Sequence, residues 1–581
     1  MSAKNRLKVV LCWHMHQPHY QDRLTGEYRL PWTYLHAIKD YVDMAAHLES
    51  VPKARAVVNF TPTLLEQIAD YAAQVKGALS HGGTIHDPML AALELPLTPN
   101  DADARIHLIK GCVRSCLRLN RQRLVDRFPA YQHLADLASW LADKPEAMFY
   151  VNQQFVMDMV VWYHLAWLGE TVRLQDARIM RLIQKGNGFS LQDRRELLEV
   201  VAELLGGIIA RYRALGESGQ VELSITPYGH PILPLLLDLN TAREAMPDVR
   251  LPRVTHYPGG MERARWHIKQ GLEVFEHYLG LTPKGCWPAE GGIGAAALKL
   301  LDEFGFKWAA SGQGVLRNSQ ARLASEKVKM GCGAGLYRPY RVDGMKVACF
   351  FRDDGLSDLI GFTYANWKAE DAINDFIHHL ENIAAACQND RGSVVSVILD
   401  GENAWEYYPE NGYPFLSGLY QRLVEHPEIE LSTFSACLEG RTEPGKLADV
   451  VAGSWVYGTF STWIGDPQKN RGWELLIEAK DTFDTVVASG RLTAEQLAAA
   501  ERQLAICEGS DWFWWFGDYN PEATVSDFDR LFRLHLSSLY QILGEPPPEY
   551  LAEVIARGGG RPLHGGTMRA SSQEPQEQPG D

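Results

Sequence analysis

Three stretches of this sequence carry an apolar run into residues that could do chemistry. Val395-Ser-Val-Ile-Leu runs into Asp400-Gly-Glu402-Asn-Ala-Trp405. Gly285-Cys-Trp287-Pro-Ala leads to Glu290, with Gly291 and Gly292 behind it. Val9-Val-Leu-Cys-Trp leads to His14-Met-His16-Gln17-Pro18. Two carboxyl groups facing each other in a cleft are what cleavage of a glycosidic bond needs. One attacks the anomeric carbon and the other protonates the leaving oxygen. Asp400 closes an apolar strand, where partial dehydration raises a carboxyl pKa and suits a proton donor. Glu290 precedes glycines that let backbone approach a ligand closely. Singly, each acid has a plainer reading as a helix cap or ion-pair partner. Their shared setting among Trp, Gly and Asn at strand ends favours the catalytic one.

The remaining candidates surround those acids. Strand alternation puts His14 and His16 on one face. Imidazoles so placed could hold zinc with Asp400 and His230 or His256, as in a metal-dependent deacetylase or amidohydrolase. Gln17-Pro18 follows directly and no second paired-histidine motif occurs, which weighs against metal. In the sugar reading His14 and His16 bond substrate hydroxyls. Glu222, on a strand ending in Pro227-Tyr-Gly-His230-Pro, reads equally as a hydroxyl ligand or a plain interior acid. Trp32, Trp287, Trp405, Trp463 and Trp512 are candidate platforms. An indole covers the flat C–H face of a sugar ring while its N–H bonds a hydroxyl, although ordinary packing accounts for each equally well. Asp511, beside Trp512, could hold a hydroxyl. Gln17, His230 and Glu402 complete the candidate substrate-binding set.

Positioning these groups requires strands whose C-terminal ends meet. The runs before Asp400, Glu290 and His14 read as strands buried on both faces, as in a parallel sheet. Strands alternate with helices over residues 1–440, with six or seven polar strand ends, which predicts a closed or nearly closed α/β barrel. In such a barrel chemistry is built where the strands end. Residues 95–218 change texture to helical spacing and read as a helical insertion. Residues 441–557 read as a helical C-terminal domain, with the capping-box signature Thr493-Ala-Glu-Gln496 ahead of an apolar stripe. Residues 558–581, rich in Gly, Ser, Pro, Gln and Glu, are expected to be disordered.

Bulk properties narrow the partners. The chain of 581 residues has a formal charge of −15 and no Lys/Arg run, which argues against nucleic acid or an anionic membrane. Its 16 Trp suit either a large core or an aromatic groove. The nine cysteines are scattered without a CxxC pair, so a disulfide or zinc framework is not expected. The absence of an export signal and of a membrane-length apolar run points to the cytoplasm.

Five pieces in order resemble glycoside hydrolase family 57. They are His16-Gln17-Pro18, Gly219-Gln-Val-Glu222-Leu, Trp287-Pro-Ala-Glu290-Gly, Asp400-Gly-Glu402-Asn-Ala-Trp405-Glu and Gly509-Ser-Asp511-Trp-Phe-Trp-Trp. The resemblance implies a distorted (β/α)7 barrel, a helical domain that completes the site, and a retaining mechanism on α-glucans. It assigns Glu290 as nucleophile and Asp400 as general acid/base, with His16 and Glu222 as site residues. The Asp400–Trp405 form and the Trp463 segment look most like the α-amylase and amylopullulanase branch, less like branching enzymes or 4-α-glucanotransferases. A 4-α-glucanotransferase using the same site is the alternative. No cofactor is required by that chemistry, and a structural Ca²⁺ stays open.

Overall fold

A computed structural model describes residues 6–94, 102–114, 118–322, 332–390, 392–440, 442–561 and 563–571. Seven parallel strands form its centre: β1 Leu7–Met15, β2 Ala56–Phe60, β3 Val221–Ile225, β4 Gly285–Cys286, β5 Trp308–Gly312, β6 Ala348–Arg352 and β7 Val394–Asp400. Each pairs with the next in chain order, and β7 returns to pair with β1. The ring is therefore closed, as expected. Its seam is thin on one side, where β6 meets β7 through Arg352 and Ser396 alone. Three short strands lie outside the ring: Ile429–Leu431 beside β1, Tyr340–Val342 antiparallel to β6, and Gly445–Leu447 beyond it.

Alternation decides what fills the barrel. Val10, Cys12, Val57, Trp308, Ala310, Phe350, Val394 and Ile398 pack together as an inner cluster. Their neighbours Val9, Leu11, Trp13 and Met15 join the larger core under the surrounding helices. Carried two residues on, the same alternation brings His14 and Asp400 to the mouth, where they are register partners. Asn59 is the partner of His14 on the other side. β4 is only two residues long, and Gly285 is why the barrel closes there. A Cβ on Gly285 would lie 1.8 Å from the Trp308 ring, which crosses that space.

Helices occupy most of the expected insertion, from Ala102–Cys112 to the long Leu191–Glu217; residues 95–101 and 115–117 fall outside the described residues. The C-terminal region is helical: Pro467–Ala488, Ala494–Cys507, Asp511–Trp515 and Glu522–Ile542. Thr493 and Gln496 form the capping box read from the sequence.

Two expectations change. The described residues of 558–571 fold back on the barrel mouth, with Met568 buried. Its contacts are to aromatic rings and charged groups, which composition alone did not reveal. The disorder expected beyond that, over 572–581, falls outside the described residues. Among the described residues six cysteines are free and buried, as expected of reduced thiols, but Cys387 is disulfide-bonded.

Candidate active site

The strand ends open into one cleft with about 950 Å³ of empty space, part of it open to solvent. Nine predicted residues line it: His14, His16, Gln17, Trp32, His230, Glu290, Asp400, Glu402 and Asp511. They come from the ends of β1 and β7 and the loops after them, the loops after β3 and β4, the short helix Trp32–His36 and the Asp511–Trp515 helix, so the C-terminal region supplies one wall.

Glu290 sits in a left-handed backbone conformation (φ 58°), uncommon for a residue with a side chain and a form of strain that clusters at functional sites. The loop 453–458 holds it there. Trp455 N–H donates to the Glu290 carbonyl at 3.0 Å, and its indole Nε1–H donates to Glu290 Oε2 at 3.1 Å. Ser510 Oγ–H donates to Glu290 Oε1 at 3.0 Å. A continuous line of hydrogen bonds runs behind that hydroxyl. Ser510 meets His230 Nδ1 at 2.8 Å, His230 Nε2 meets His14 Nε2 at 3.1 Å, and His14 Nδ1 meets Asn59 Oδ1 at 2.7 Å. Burial holds both rings neutral, with His14 lowered to about 3 and His230 well below the usual histidine range. The Ser510 hydroxyl has one proton, so ionising Glu290 draws it from the ring to the carboxylate.

Burial and the charges of Asp400 and Asp511 push Glu290 up to about 8. Burial likewise lifts Asp400 to about 6, restrained by Asn403, whose Nδ2 donates to Asp400 Oδ2 at 2.9 Å. Taken alone, those values would make Glu290 the proton holder and reverse the roles implied by the resemblance. Hydrogen bonding pulls against that order: each acid has one fixed donor, Trp455 Nε1–H on Glu290 and Asn403 Nδ2–H on Asp400, and Glu290 alone has a hydroxyl, Ser510, that can turn to it on ionising. Two acids in one dry cleft titrate as a pair that shares a proton, and the two values belong to the pair.

His16 Nε2 lies 2.7 Å from Asp511 Oδ1, and its Nδ1 has no hydrogen-bond partner within the protein. Glu402 is buried; Gln17 Nε2 donates to its Oε1 at 3.2 Å, and no side-chain donor among the described residues meets its Oε2. Burial and the charge of Asp400 raise its carboxyl well above the usual range. A neutral Glu402 and the free His16 nitrogen are thus polar groups set to meet hydroxyls.

Five predicted residues do not line the cavity. Glu222 points into the barrel two positions below the Ser224 level, where it accepts from Trp308 Nε1 at 2.6 Å and from the Ser435 N–H at 2.9 Å. It is the plain interior acid. Trp287 is buried with its ring edge-to-face on Trp455 at 5.3 Å. Trp405 turns its Nε1–H to the Gly401 carbonyl at 2.9 Å, pinning the loop after β7. Trp463 packs on Trp514, and Trp512 on Phe532 and His535. All four indoles are buried and pack on neighbouring rings as core. The indoles that reach the cavity are Trp32, Trp455, Trp514 and Trp515. Trp455, Ser510 and Asn59 were missed as site residues. Trp455 lies in the aromatic loop after residue 452, Ser510 directly precedes Asp511, and Asn59 ends an apolar strand, so each carried a signal.

A closed parallel (β/α)7 barrel, with paired carboxyl groups and indoles at its C-terminal mouth, defines a barrel enzyme of acid–base chemistry. The chain belongs to glycosyl hydrolase family 57, whose model matches residues 10–450. A 1,4-alpha-glucan branching enzyme of Thermococcus kodakarensis is 21% identical over 404 residues, which cover 58% of this chain and 56% of that relative. The match thus spans little more than half of that relative's length. A crystal structure of a branching enzyme from the same archaeon superposes with a TM-score of 0.56 at 16% identity, over 93% of this chain and 90% of that one. The alpha-amylase AmyC of Thermotoga maritima gives 0.55 at 14% identity, over 93% of both chains. These structural likenesses concern the fold.

Proposed function

We propose that this protein is a retaining enzyme of α-glucans, cleaving α-1,4 links through a glycosyl-enzyme, with α-1,6 links as an open alternative. The observation that carries the reading is the pair Glu290 and Asp400 in one cleft, with Trp455 and Ser510 aimed at Glu290. Glu290 attacks the anomeric carbon while Asp400 protonates the leaving oxygen. Asp400, now a carboxylate, then takes a proton from the incoming water. His16, Asp511, Glu402 and the lining indoles hold sugar hydroxyls and ring faces. Hydrolysis of the α-amylase or amylopullulanase type is the primary form. Transfer to a sugar hydroxyl, as a 4-α-glucanotransferase, uses the same two acids. The relatives named above include both a branching enzyme and an amylase, so relationship alone favours neither.

The chemistry needs no cofactor. A metal-dependent reading has less support, because the His16 and His230 rings stack 3.7 Å apart at 12°. The ligand atoms of His16, His230 and Asp511 come within 4.8 Å of one another, but both His230 nitrogens are already engaged, by Ser510 and His14, and His16 Nε2 by Asp511. The substrate is an α-glucan or maltooligosaccharide, with neither nucleic acid nor membrane as partner. No helix among the described residues is long and apolar enough to cross a membrane, and a cytoplasmic setting is part of the proposal. The test is product analysis on maltoheptaose. Shorter sugars with the α-configuration at first release support a retaining hydrolase, longer ones a transferase, and an unchanged substrate refutes both.

A further inference from the structure

Beyond Asp400 the cleft continues into a second cavity of about 390 Å³. Asp400, Trp455, Trp514 and Thr567 line both cavities, whereas Glu290 lines only the first. The junction is therefore at the proton donor. One wall of the second cavity is the returning chain end, through Thr567, Met568, Arg569 and Ser571.

That chain end is fastened along its length. The His564 ring stands edge-on to Tyr407 at 3.9 Å. The Gly566 carbonyl accepts Trp514 Nε1–H at 2.8 Å. The Arg569 guanidinium lies over the Trp514 ring at 4.7 Å and the Tyr519 ring at 4.4 Å, and donates to Thr462 Oγ1 at 3.2 Å. Ser571 N–H donates to Asp358 Oδ2 at 2.7 Å, and Arg352 Nη1 donates to Ser571 Oγ at 2.6 Å. Arg352 ends β6, so the strap crosses from the C-terminal helical region to the far side of the barrel mouth. It lies over the thin seam between β6 and β7.

Resting on the α-glucan reading, we propose that the strap 564–571 builds the acceptor site, a pocket for the end glucosyl unit of an incoming α-glucan. A general acid stands on the leaving-oxygen side of the bond it cleaves. The space beyond Asp400 is where the leaving sugar sits and where an acceptor replaces it. Trp455 and Trp514 offer ring faces, and the Thr567 and Ser571 hydroxyls offer polar edges, the mixture a sugar ring requires. In transfer, the ester bond between the anomeric carbon and Glu290 breaks. A bond from that carbon to an acceptor hydroxyl oxygen forms, and the hydroxyl proton goes to the Asp400 carboxylate. The strap thereby sets how often a sugar replaces water.

The experiment uses α-maltotriosyl fluoride as donor and maltotriose as acceptor, because fluoride leaves without a sugar in the second cavity. Two variants are compared with the unaltered chain: Thr567→Trp, which fills the pocket, and a chain ended after Arg561, which removes its wall. Each is expected to lower the ratio of transfer to hydrolysis by about tenfold or more, the effect of one lost good contact. An unchanged ratio in Thr567→Trp overturns the proposal even where the shortened chain fails to fold. So does the absence of transfer product from the unaltered chain at high maltotriose. Failure of the unaltered chain to release fluoride is a different result, and removes the α-glucan reading itself.

Discussion

Glu290 is the residue on which most depends, and it is held at a cost. Its carboxyl is lifted from 4.5 to about 8 by burial and by two neighbouring acids. A carboxyl whose folded pKa is raised makes the folded state hold a proton that the unfolded chain releases. Stability falls as pH climbs from about 4.5 to about 8, and the full penalty remains above that. Glu290→Gln is therefore expected to melt above the unaltered protein at pH 8, with the advantage vanishing near pH 4.5; thermal melts at the two pH values check it. The same substitution should cut turnover by about a thousandfold or more, the scale of losing a nucleophile. The pair also predicts a bell-shaped kcat/KM. Activity should rise through an apparent pKa near 6 and fall past one near 8, the limbs belonging to Glu290 and Asp400 together. A profile flat from pH 5 to pH 9 would contradict the shared proton.

Elements position that residue from two directions. The loop carrying Trp455 and the turn carrying Ser510 each end a hydrogen bond on its carboxylate. A hydrogen bond to a charged group contributes about 1.5–3 kcal/mol. Trp455→Phe or Ser510→Ala should thus lower kcat/KM by about ten- to a hundredfold, read in steady-state kinetics, without changing the fold seen by circular dichroism. Beneath the site, Gly285, Trp308, Glu222 and Ser435 form a chain of packing and hydrogen bonds inside the barrel. Gly285→Ala would drive a methyl into the Trp308 ring. Overpacking of this kind costs about 1–3 kcal/mol and sometimes more, so a clear drop in melting temperature is expected.

At the scale of the whole molecule, the C-terminal helices must stay docked for Ser510 and Asp511 to reach the barrel mouth. Glu508 is the anchor. It is fully buried and accepts from Arg263 at 2.8 Å, meets His267 at 2.7 Å, and accepts from Tyr257 at 2.6 Å, all on the barrel side. Burial would raise its carboxyl, but Arg263 and His267 together bring it down to about 2. That depressed pKa contributes stability above about pH 4.5, which is lost as pH falls toward 2. Breaking a buried ion pair from one side costs about 3–5 kcal/mol. Glu508→Gln should therefore destabilise the protein by that order in urea titration at pH 7, with the difference shrinking as the pH approaches 2.

Much of this was legible in the linear chain. An apolar run that stops on Asp400, Glu290 or His14 announces a buried strand and a polar end, because a parallel barrel strand has no wet face on which to alternate. Two acids at such ends follow from the same rule. Period-2 alternation could even have placed Glu222, since it lies two positions before Ser224 and so one inner layer lower. Tryptophan did not carry comparable information. Trp287, Trp405, Trp463 and Trp512 have the same local company as Trp455 and Trp514, yet only the latter reach the cavity. Whether an indole faces ligand or core depends on what packs on its other side, and that neighbour is often hundreds of positions away. The same holds for the chain end, whose polar composition promised nothing until Trp514, Arg352 and Asp358 were brought beneath it. The sequence alone determined which side chains could do the chemistry and at which strand ends they stand, because strand periodicity is local. Tertiary structure decided which donors end on Glu290 and what walls the cleft, because those contacts form only when distant segments close the barrel mouth.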